Sequence, residues 1–160
     1  MPQSRGDALS GLVWEILLTA GRLTELGNRL TAPFGLTAAR WQVMGVIVHR
    51  AATIADIGRR LSQSRQGVQR LGDELARDGF ARYSPNPKHA RAKLLGPTPQ
   101  GAAAYREVMK LQAEWMDALS AEMQIEDIAA ARALLATLAS GLEDGRTRDT
   151  AQGRERSSSG

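Results

Sequence analysis

The chain has 160 residues, enough for one hydrophobic core and too few for two ordinary domains, so we expect a single domain over 1–160. Apolar residues make up 42% of the sequence, which excludes a wholly disordered chain, and the formal net charge of +4 suits a nucleic-acid partner without requiring one. The absence of cysteine excludes disulfides and Cys-ligated metals. Without a signal-peptide core or an apolar run of bilayer length, we expect a cytoplasmic protein with no membrane partner.

The first predicted helix covers residues 7–31, where leucine and isoleucine recur every three or four positions. Pro33 and Gly35 end it. Thr37 then provides an N-cap for a second amphipathic helix, which is predicted to extend to about Arg50.

Two helices follow in quick succession. A short third helix is predicted over 54–61, and a fourth over 63–78 with Ser62 as its candidate N-cap. Gly79 suits the end of the fourth helix, since glycine adopts the left-handed conformation there without strain. The core-facing residues of the fourth helix are expected to be Val68, Leu71 and Leu75.

Residues 80–96 predict a β-hairpin, with the turn sequence Ser-Pro-Asn-Pro at 84–87. Thr98 and Pro99 are an N-cap and a first helical residue, and they begin a long fifth helix. A sixth helix is predicted over 125–143. The polar segment 145–160 is rich in Arg and Ser, and we expect it to be a disordered tail.

The first, fifth and sixth helices each have an apolar face, and one small chain offers too little surface to cover all three. We therefore expect a homodimer in which the helices at 7–31 and 98–144 of two chains interlock. A monomeric six-helix bundle is the alternative.

Two short helices, a basic hairpin and another helix follow one another around residues 34–97. This order is typical of a winged helix-turn-helix, which places one helix and one β-loop on a DNA duplex. The predicted fold class is therefore mainly α with a small β-hairpin, in which long dimerisation helices flank the winged unit.

Four segments of the sequence strengthen this interpretation. They are GLTAARWQVM at 35–44, IADIGRRLSQSRQ at 54–66, LARDGF at 75–80, and RAKL at 91–94 followed by TPQG at 98–101. In this order and spacing they resemble the MarR (multiple antibiotic resistance regulator) family of bacterial transcription factors. The resemblance implies a homodimer on a pseudo-palindromic operator in double-stranded DNA, with the fourth helix in the major groove and the hairpin, the wing, near the minor groove. It also implies a small-molecule effector that releases the DNA.

The fourth helix leaves one polar face free for DNA. Glutamine can pair with adenine and arginine with guanine, while serine can bind phosphates. No acid precedes Asp73, which suits a helix whose N-terminal end meets DNA. A solvated polar face is the plain alternative. The predicted DNA-binding residues of this helix are Ser64, Arg65, Gln66, Gln69 and Arg70.

Gly67 and Gly72 are unusual inside this helix, because glycine costs on the order of 1 kcal/mol relative to alanine there. Gly67 would allow the backbone to approach DNA closely, and Gly72 would allow close helix packing. Alternatively, both glycines only weaken the helix.

The wing adds basic side chains, and an arginine near its tip can enter a narrow minor groove. The family commonly has Asp-Arg-Arg near the tip, where the Asp braces an Arg. This chain has His-Ala-Arg at 89–91, so we expect a less rigid wing. The predicted DNA-binding residues of the wing are Lys88, His89, Arg91 and Lys93.

Family ligand pockets lie between the dimerisation region and the winged unit. Residues that could line such a pocket here are Trp14, Trp41, His49 and Trp115, although aromatic residues at helical spacing are also typical of a core.

The remaining function classes find little support. The two histidines lie far apart in sequence without carboxylates at ligand spacing, so we expect no metal site. No phosphate loop, nucleophile–base grouping or cofactor motif is present, so we expect no cofactor and no enzyme activity. Two alternatives stay open: a winged-helix module that binds protein without DNA, and a helical enzyme acting on a small molecule.

Overall fold

The computed structural model describes residues 4–89 and 91–157, with side chains as far as Glu143. The described part of the chain is mainly α-helical with one small antiparallel sheet, as predicted. Its elements are α1 (Arg5–Thr31), α2 (Ala38–Ile47), β1 (Ala52–Thr53), α3 (Ile54–Leu61), α4 (Arg65–Arg77), β2 (Ala81–Ser84), β3 (Leu94–Pro97), α5 (Pro99–Ser120) and α6 (Ile125–Ser157), with a 3₁₀ turn at Ala32–Phe34.

The described residues up to Glu114 form one compact unit, and those from Trp115 onward form a second. The single domain over 1–160 stays a prediction. Within the described residues, no helix combines the length and the apolar composition that crossing a membrane requires.

A tight turn connects α1 to α2. A Cβ added at Gly27 would lie 3.0 Å from the Cβ of Ala38, so glycine lets the two helices approach closely. The Asn28 side chain accepts a hydrogen bond from the Ala38 N–H at 2.8 Å. Thr37 caps α2 as predicted, by accepting from the Arg40 N–H at 3.2 Å. The second helix ends at Ile47, three residues before the predicted Arg50.

The turn between α3 and α4 differs from the sequence expectation. Ser62 was the candidate N-cap of the fourth helix, but it lies in the left-handed region with φ +52° and ends α3. Ser64 is the cap instead, because its side chain accepts a hydrogen bond from the Gly67 N–H at 3.1 Å. The fourth helix therefore begins two residues later than predicted.

The three strands form one antiparallel sheet in the order β1–β3–β2. Tyr83 of β2 pairs with Leu95 of β3, so the predicted hairpin is confirmed. Leu95 also pairs with Ala52 of β1, a strand that the sequence analysis missed. Two residues are too few to show the alternation by which strands are recognised.

One core joins α2, α3, α4 and the sheet. The inner face of α4 is buried as predicted: Val68 and Leu75 are fully buried and Leu71 is 6% exposed. The other fully buried side chains against which they cluster are Val43, Met44, Ile47, Ile57 and Leu95.

The end of α4 is tied to α2 by a nearly buried arginine. Arg40 forms an ion pair with Asp78 at 2.9 Å and lies over the Phe80 ring, 5.4 Å from its centroid. A hydrogen bond from Arg77 lowers the pKa of Asp78, and the charge of Arg40 lowers it further. These contacts fix the direction in which α4 leaves the core.

Thr98 links the start of α5 to the turn after α4. Its hydroxyl donates to the Gly79 carbonyl at 2.6 Å and accepts from the Gly101 N–H at 3.0 Å. Its own N–H donates to the Phe80 carbonyl at 3.0 Å. The predicted N-cap is therefore confirmed, and it also holds the base of the wing.

The sixth helix runs on to Ser157, past the predicted end near residue 143. This differs from the disordered tail expected over 145–160, of which 158–160 lie outside the described residues. The segment 144–157 contains no proline that would break a helix, but seven of its fourteen residues are Gly, Asp, Thr or Ser, so its composition gives no physical reason for the longer helix.

Candidate nucleic-acid interface

The outer face of α4 points away from the core. Because Val68, Leu71 and Leu75 hold its inner face, the polar residues at the intervening positions are left at the surface. The five predicted DNA-binding residues of this region are all exposed: Ser64, Arg65, Gln66, Gln69 and Arg70. Ser64 has a second role as the N-cap, which occupies its oxygen as an acceptor and leaves its hydroxyl hydrogen free to donate.

Gln69 belongs to a closed hydrogen-bond network with Asp73 and Tyr83. Its Nε2 donates to Asp73 Oδ1 at 2.8 Å and to Tyr83 Oη at 2.9 Å. The Tyr83 hydroxyl donates to the same Asp73 oxygen at 2.8 Å. Partial burial of Tyr83, together with the bond to Asp73 and its charge, raises the pKa of the hydroxyl to about 12. The network therefore joins the exposed face of α4 to strand β2.

Arg70 forms an ion pair with Glu74 at 3.1 Å, one helical turn further on. The Arg70 side chain is 71% exposed, and exposed pairs of this kind contribute only about 0.2–1 kcal/mol. Arg70 can therefore leave Glu74 for a phosphate or a base edge at a small cost in free energy. Within the described residues Arg65 forms no ion pair, so its charge is available at the N-terminal end of the helix.

The wing is the connection between β2 and β3, and local hydrogen bonds shape its tip. The Asn86 side chain accepts from the Lys88 N–H at 3.0 Å, and its carbonyl accepts from the His89 N–H at 3.2 Å. Ala90, the middle residue of the His-Ala-Arg sequence, lies outside the described residues, and the lower rigidity of this wing stays a prediction. All four predicted wing residues are exposed: Lys88, His89, Arg91 and Lys93.

Helix α4 and the wing meet in a shared groove of about 340 Å³. Arg65 and Gln69 line it from the helix, while Arg91 and Lys93 line it from the wing. Four predicted site residues from two distant segments are thus brought together around one concave, basic surface.

A second groove lies beside the wing and adds basic residues that the sequence analysis missed. Lys88 and His89 line it together with Arg50, Arg59 and Arg60. The signal was the Arg-Arg pair on α3, whose outer face is polar. Arg59 is partly engaged, since it pairs with Asp56 in the same helix. The Thr53 hydroxyl donates to Asp56 at 2.7 Å and lowers the pKa of that carboxyl.

The four predicted pocket residues do not line any of the grooves described around α4 and the wing. Trp14 is 62% exposed and His49 is exposed, while Trp41 and Trp115 are partly buried. The indole nitrogen of Trp41 is buried without a hydrogen-bond partner among the described residues. The pocket stays a prediction.

The part of the chain that the structure describes contains no candidate metal-binding site. No group of three or more His, Asp or Glu side chains is placed there so that it could hold a metal ion.

Residues 34–92 match the sequence model of the MarR family. An uncharacterised protein of Mycobacterium tuberculosis is 39% identical over 95 residues, which cover 59% of this chain and 66% of that protein. The transcriptional activatory protein BadR of Rhodopseudomonas palustris is 29% identical over 94 residues, 56% of this chain and 54% of BadR. The chain thus spans between half and two thirds of the length of these curated relatives.

Solved structures share the fold over most of the chain. A variant of MarR from E. coli complexed with operator DNA gives a TM-score of 0.73 at 22% identity, covering 85% of this chain and 99% of that one. The transcriptional regulator BldR from Sulfolobus solfataricus gives 0.74 at 15% identity, covering 84% and 99%. The MarR family model therefore matches the winged unit of this chain, and these solved structures share its fold.

Proposed function

We propose that this protein is a transcription regulator that binds double-stranded DNA, with α4 in the major groove and the wing near the minor groove. The main support is the shared groove in which Arg65 and Gln69 of α4 lie beside Arg91 and Lys93 of the wing. One duplex can contact both elements at once only if they share a surface, and here they do.

The distribution of charge supports this docking. Acidic side chains are absent from the exposed face of α4 until Asp73, in the third turn of the helix. The second groove adds Arg50 and Arg60, which suit contacts to the phosphate backbone. Affinity should therefore fall steeply with salt, because each neutralised phosphate contributes about −0.9 to the slope of log affinity against log salt.

We further propose that the protein acts as a homodimer on a pseudo-palindromic operator. Large apolar side chains stay exposed on α1, where Trp14 is 62% and Leu17 is 61% exposed, and on α6, where Ile125 is 80% exposed. Exposed apolar surface of this extent marks an interface, and a second copy of the chain is the partner that would also supply a second α4 for the other half-site.

The dimer can be tested by the mass of the protein in solution. Leu17→Asp places a charge on the exposed apolar face of α1, and we expect the particle measured by light scattering to fall from two chains to one. Arg22→Asp is the control, since helical geometry places it on the polar side of the same helix. A wild-type chain that is monomeric at working concentrations would contradict the dimer.

The third part of the proposal is repression that a small-molecule effector relieves. A dimer bound over a promoter excludes polymerase from it, and a ligand between the dimerisation region and the winged unit would change the spacing of the two α4 helices. The unpaired indole N–H of Trp41 supports such a ligand, because buried polar groups are ordinarily satisfied.

The experiment that tests DNA binding is a fluorescence-anisotropy titration with the region upstream of the gene, repeated at several salt concentrations. Arg70→Ala and Arg91→Ala are each expected to weaken binding and to reduce the salt slope by about one. Arg106→Ala on α5 removes the same charge away from the site and is expected to change neither. Salt-insensitive binding, or wild-type binding by both site variants, would favour a protein-binding module instead.

A further inference from the structure

The amide of Gln69 is held at one end and free at the other. We propose, on the basis of the DNA binding proposed above, that Asp73 and Tyr83 are positioning residues that turn the Gln69 amide so that it presents only its carbonyl oxygen to DNA. Gln69 then recognises an exocyclic amino group, on adenine or on cytosine, and does not pair with adenine through two hydrogen bonds.

The orientation of the amide follows from the donors and acceptors in the network. A carboxylate accepts hydrogen bonds and cannot donate, so the Gln69 atom 2.8 Å from Asp73 Oδ1 must be the amide nitrogen. The single hydroxyl hydrogen of Tyr83 points to Asp73, so Tyr83 Oη acts toward Gln69 Nε2 as an acceptor. In the proposed arrangement each of the two acceptors takes one amide hydrogen, and both hydrogens are then used within the protein.

What remains for DNA is Gln69 Oε1, on an exposed side chain that lines the groove between α4 and the wing. In the major groove an acceptor alone can pair with the amino group of adenine or of cytosine, but guanine and thymine offer it no donor. Pairing with adenine through two bonds would need an amide hydrogen for the ring nitrogen, and none is free.

Tyr83 is held in place by its strand and by the helix beneath it. It pairs in register with Leu95, a fully buried residue of the central strand. A Cβ at residue 72 would lie 2.8 Å from Tyr83 Oη, so the hydroxyl reaches Asp73 across the bare backbone of Gly72. The position of the hydroxyl is therefore fixed by packing before DNA arrives.

The experiment selects binding sites from a random duplex library with the full-length wild-type chain and sequences the bound fraction. Gln69→Ala identifies the operator position that depends on this side chain. At that position we expect the wild type to enrich adenine and cytosine over guanine and thymine. Tyr83→Phe frees one amide hydrogen, so the adenine-to-cytosine ratio is expected to rise by about fivefold or more.

Asp73→Ala is expected to move the ratio in the same direction, and Glu74→Ala, which removes the neighbouring carboxylate, is the matched control and should not. An adenine-to-cytosine ratio that is the same in wild type and Tyr83→Phe would overturn the inference, as would a wild type that enriches adenine alone or guanine. Failure of the wild type to enrich any sequence would instead overturn the DNA binding on which the inference depends.

A measurement without DNA gives an independent check. In a ¹⁵N-correlated NMR spectrum, the side-chain amide pair that disappears in Gln69→Ala should exchange slowly with solvent in the wild type. In Tyr83→Phe one of its two hydrogens should exchange several-fold faster. Two fast-exchanging hydrogens in the wild type would overturn the inference.

Discussion

The Tyr83 hydroxyl packs against the backbone of Gly72 so closely that no side chain fits between them. A Cβ added at residue 72 would lie 2.8 Å from Tyr83 Oη, closer than real Cβ contacts come. The same atom would lie 3.1 Å from Ile54 Cδ1 and 3.2 Å from Leu95 Cδ2. Glycine at this position therefore serves helix–sheet packing.

Gly72→Ala should destabilise the fold although alanine is the better helix former. Overpacking typically lowers the stability of a fold by about 1–3 kcal/mol, and the higher helix propensity of alanine offsets about 1 kcal/mol of this. We expect the free energy of unfolding, measured in urea, to fall by up to about 2 kcal/mol. Gly67→Ala in the same helix is the control, since its Cβ would meet only the Ser64 hydroxyl, at 3.1 Å. A stabilised Gly72→Ala protein would contradict this packing.

The helix cap at α4 gives a second prediction. Ser64→Ala removes the acceptor for the Gly67 N–H and should cost about 1 kcal/mol of stability. Ser62→Ala keeps a Cβ at the same left-handed position and removes no cap, so it should leave the stability nearly unchanged. Thermal unfolding of the two variants side by side checks this. An equal loss of stability in both would contradict Ser64 as the N-cap and favour Ser62, the cap predicted from the sequence.

The start of α5 gives a third prediction, at Gly101. A Cβ there would lie 1.9 Å from the Phe80 carbonyl oxygen, and backbone cannot yield as a flexible side chain can. Gly101→Ala must therefore displace α5 from the hydrogen bonds that Thr98 makes with Gly79 and Phe80. We expect the free energy of unfolding to fall by more than about 4 kcal/mol, a loss that few single substitutions cause. Gly21→Ala in α1, where nothing lies within 4 Å, is the control. A well-folded Gly101→Ala chain, judged by circular dichroism and urea unfolding, would refute the close approach.

Local chemistry explains why much of the fold could be predicted from the sequence. Thr37 and Thr98 cap helices where expected, because an N-cap depends on one side chain and the backbone of the next turn. The choice between Ser62 and Ser64 could not be made in this way. Both residues are good caps, and the left-handed backbone at Ser62, uncommon outside glycine, asparagine and aspartate, leaves no mark in the sequence.

The candidate site also has one part that local sequence predicts and one part that it does not. The exposed face of α4 follows from helical periodicity, and the spacing of four residues could have shown that Gln69 pairs with Asp73 and Arg70 with Glu74. The third member of the network could not be found, because Tyr83 comes from a strand and reaches the helix only through tertiary packing.

The hydroxyl of Tyr83 gives the last prediction, through its titration. Burial, the hydrogen bond to Asp73 and the charge of Asp73 together raise the pKa of Tyr83 to about 12. Folding therefore favours the neutral hydroxyl, so this contribution to stability is complete below the ordinary pKa of about 10 and is lost as the pH rises toward 12.

Absorbance at 295 nm would follow the phenolate in a Tyr105→Phe background, which removes the only other tyrosine, whose pKa burial also raises. We expect a midpoint near 12. Asp73→Asn removes the neighbouring charge and should move the midpoint toward 10, whereas Glu74→Gln changes a carboxylate that pairs with Arg70 and should leave the midpoint in place. A midpoint near 10 in the background protein, while the helical circular dichroism persists, would contradict both the partial burial of Tyr83 and its hydrogen bond to Asp73.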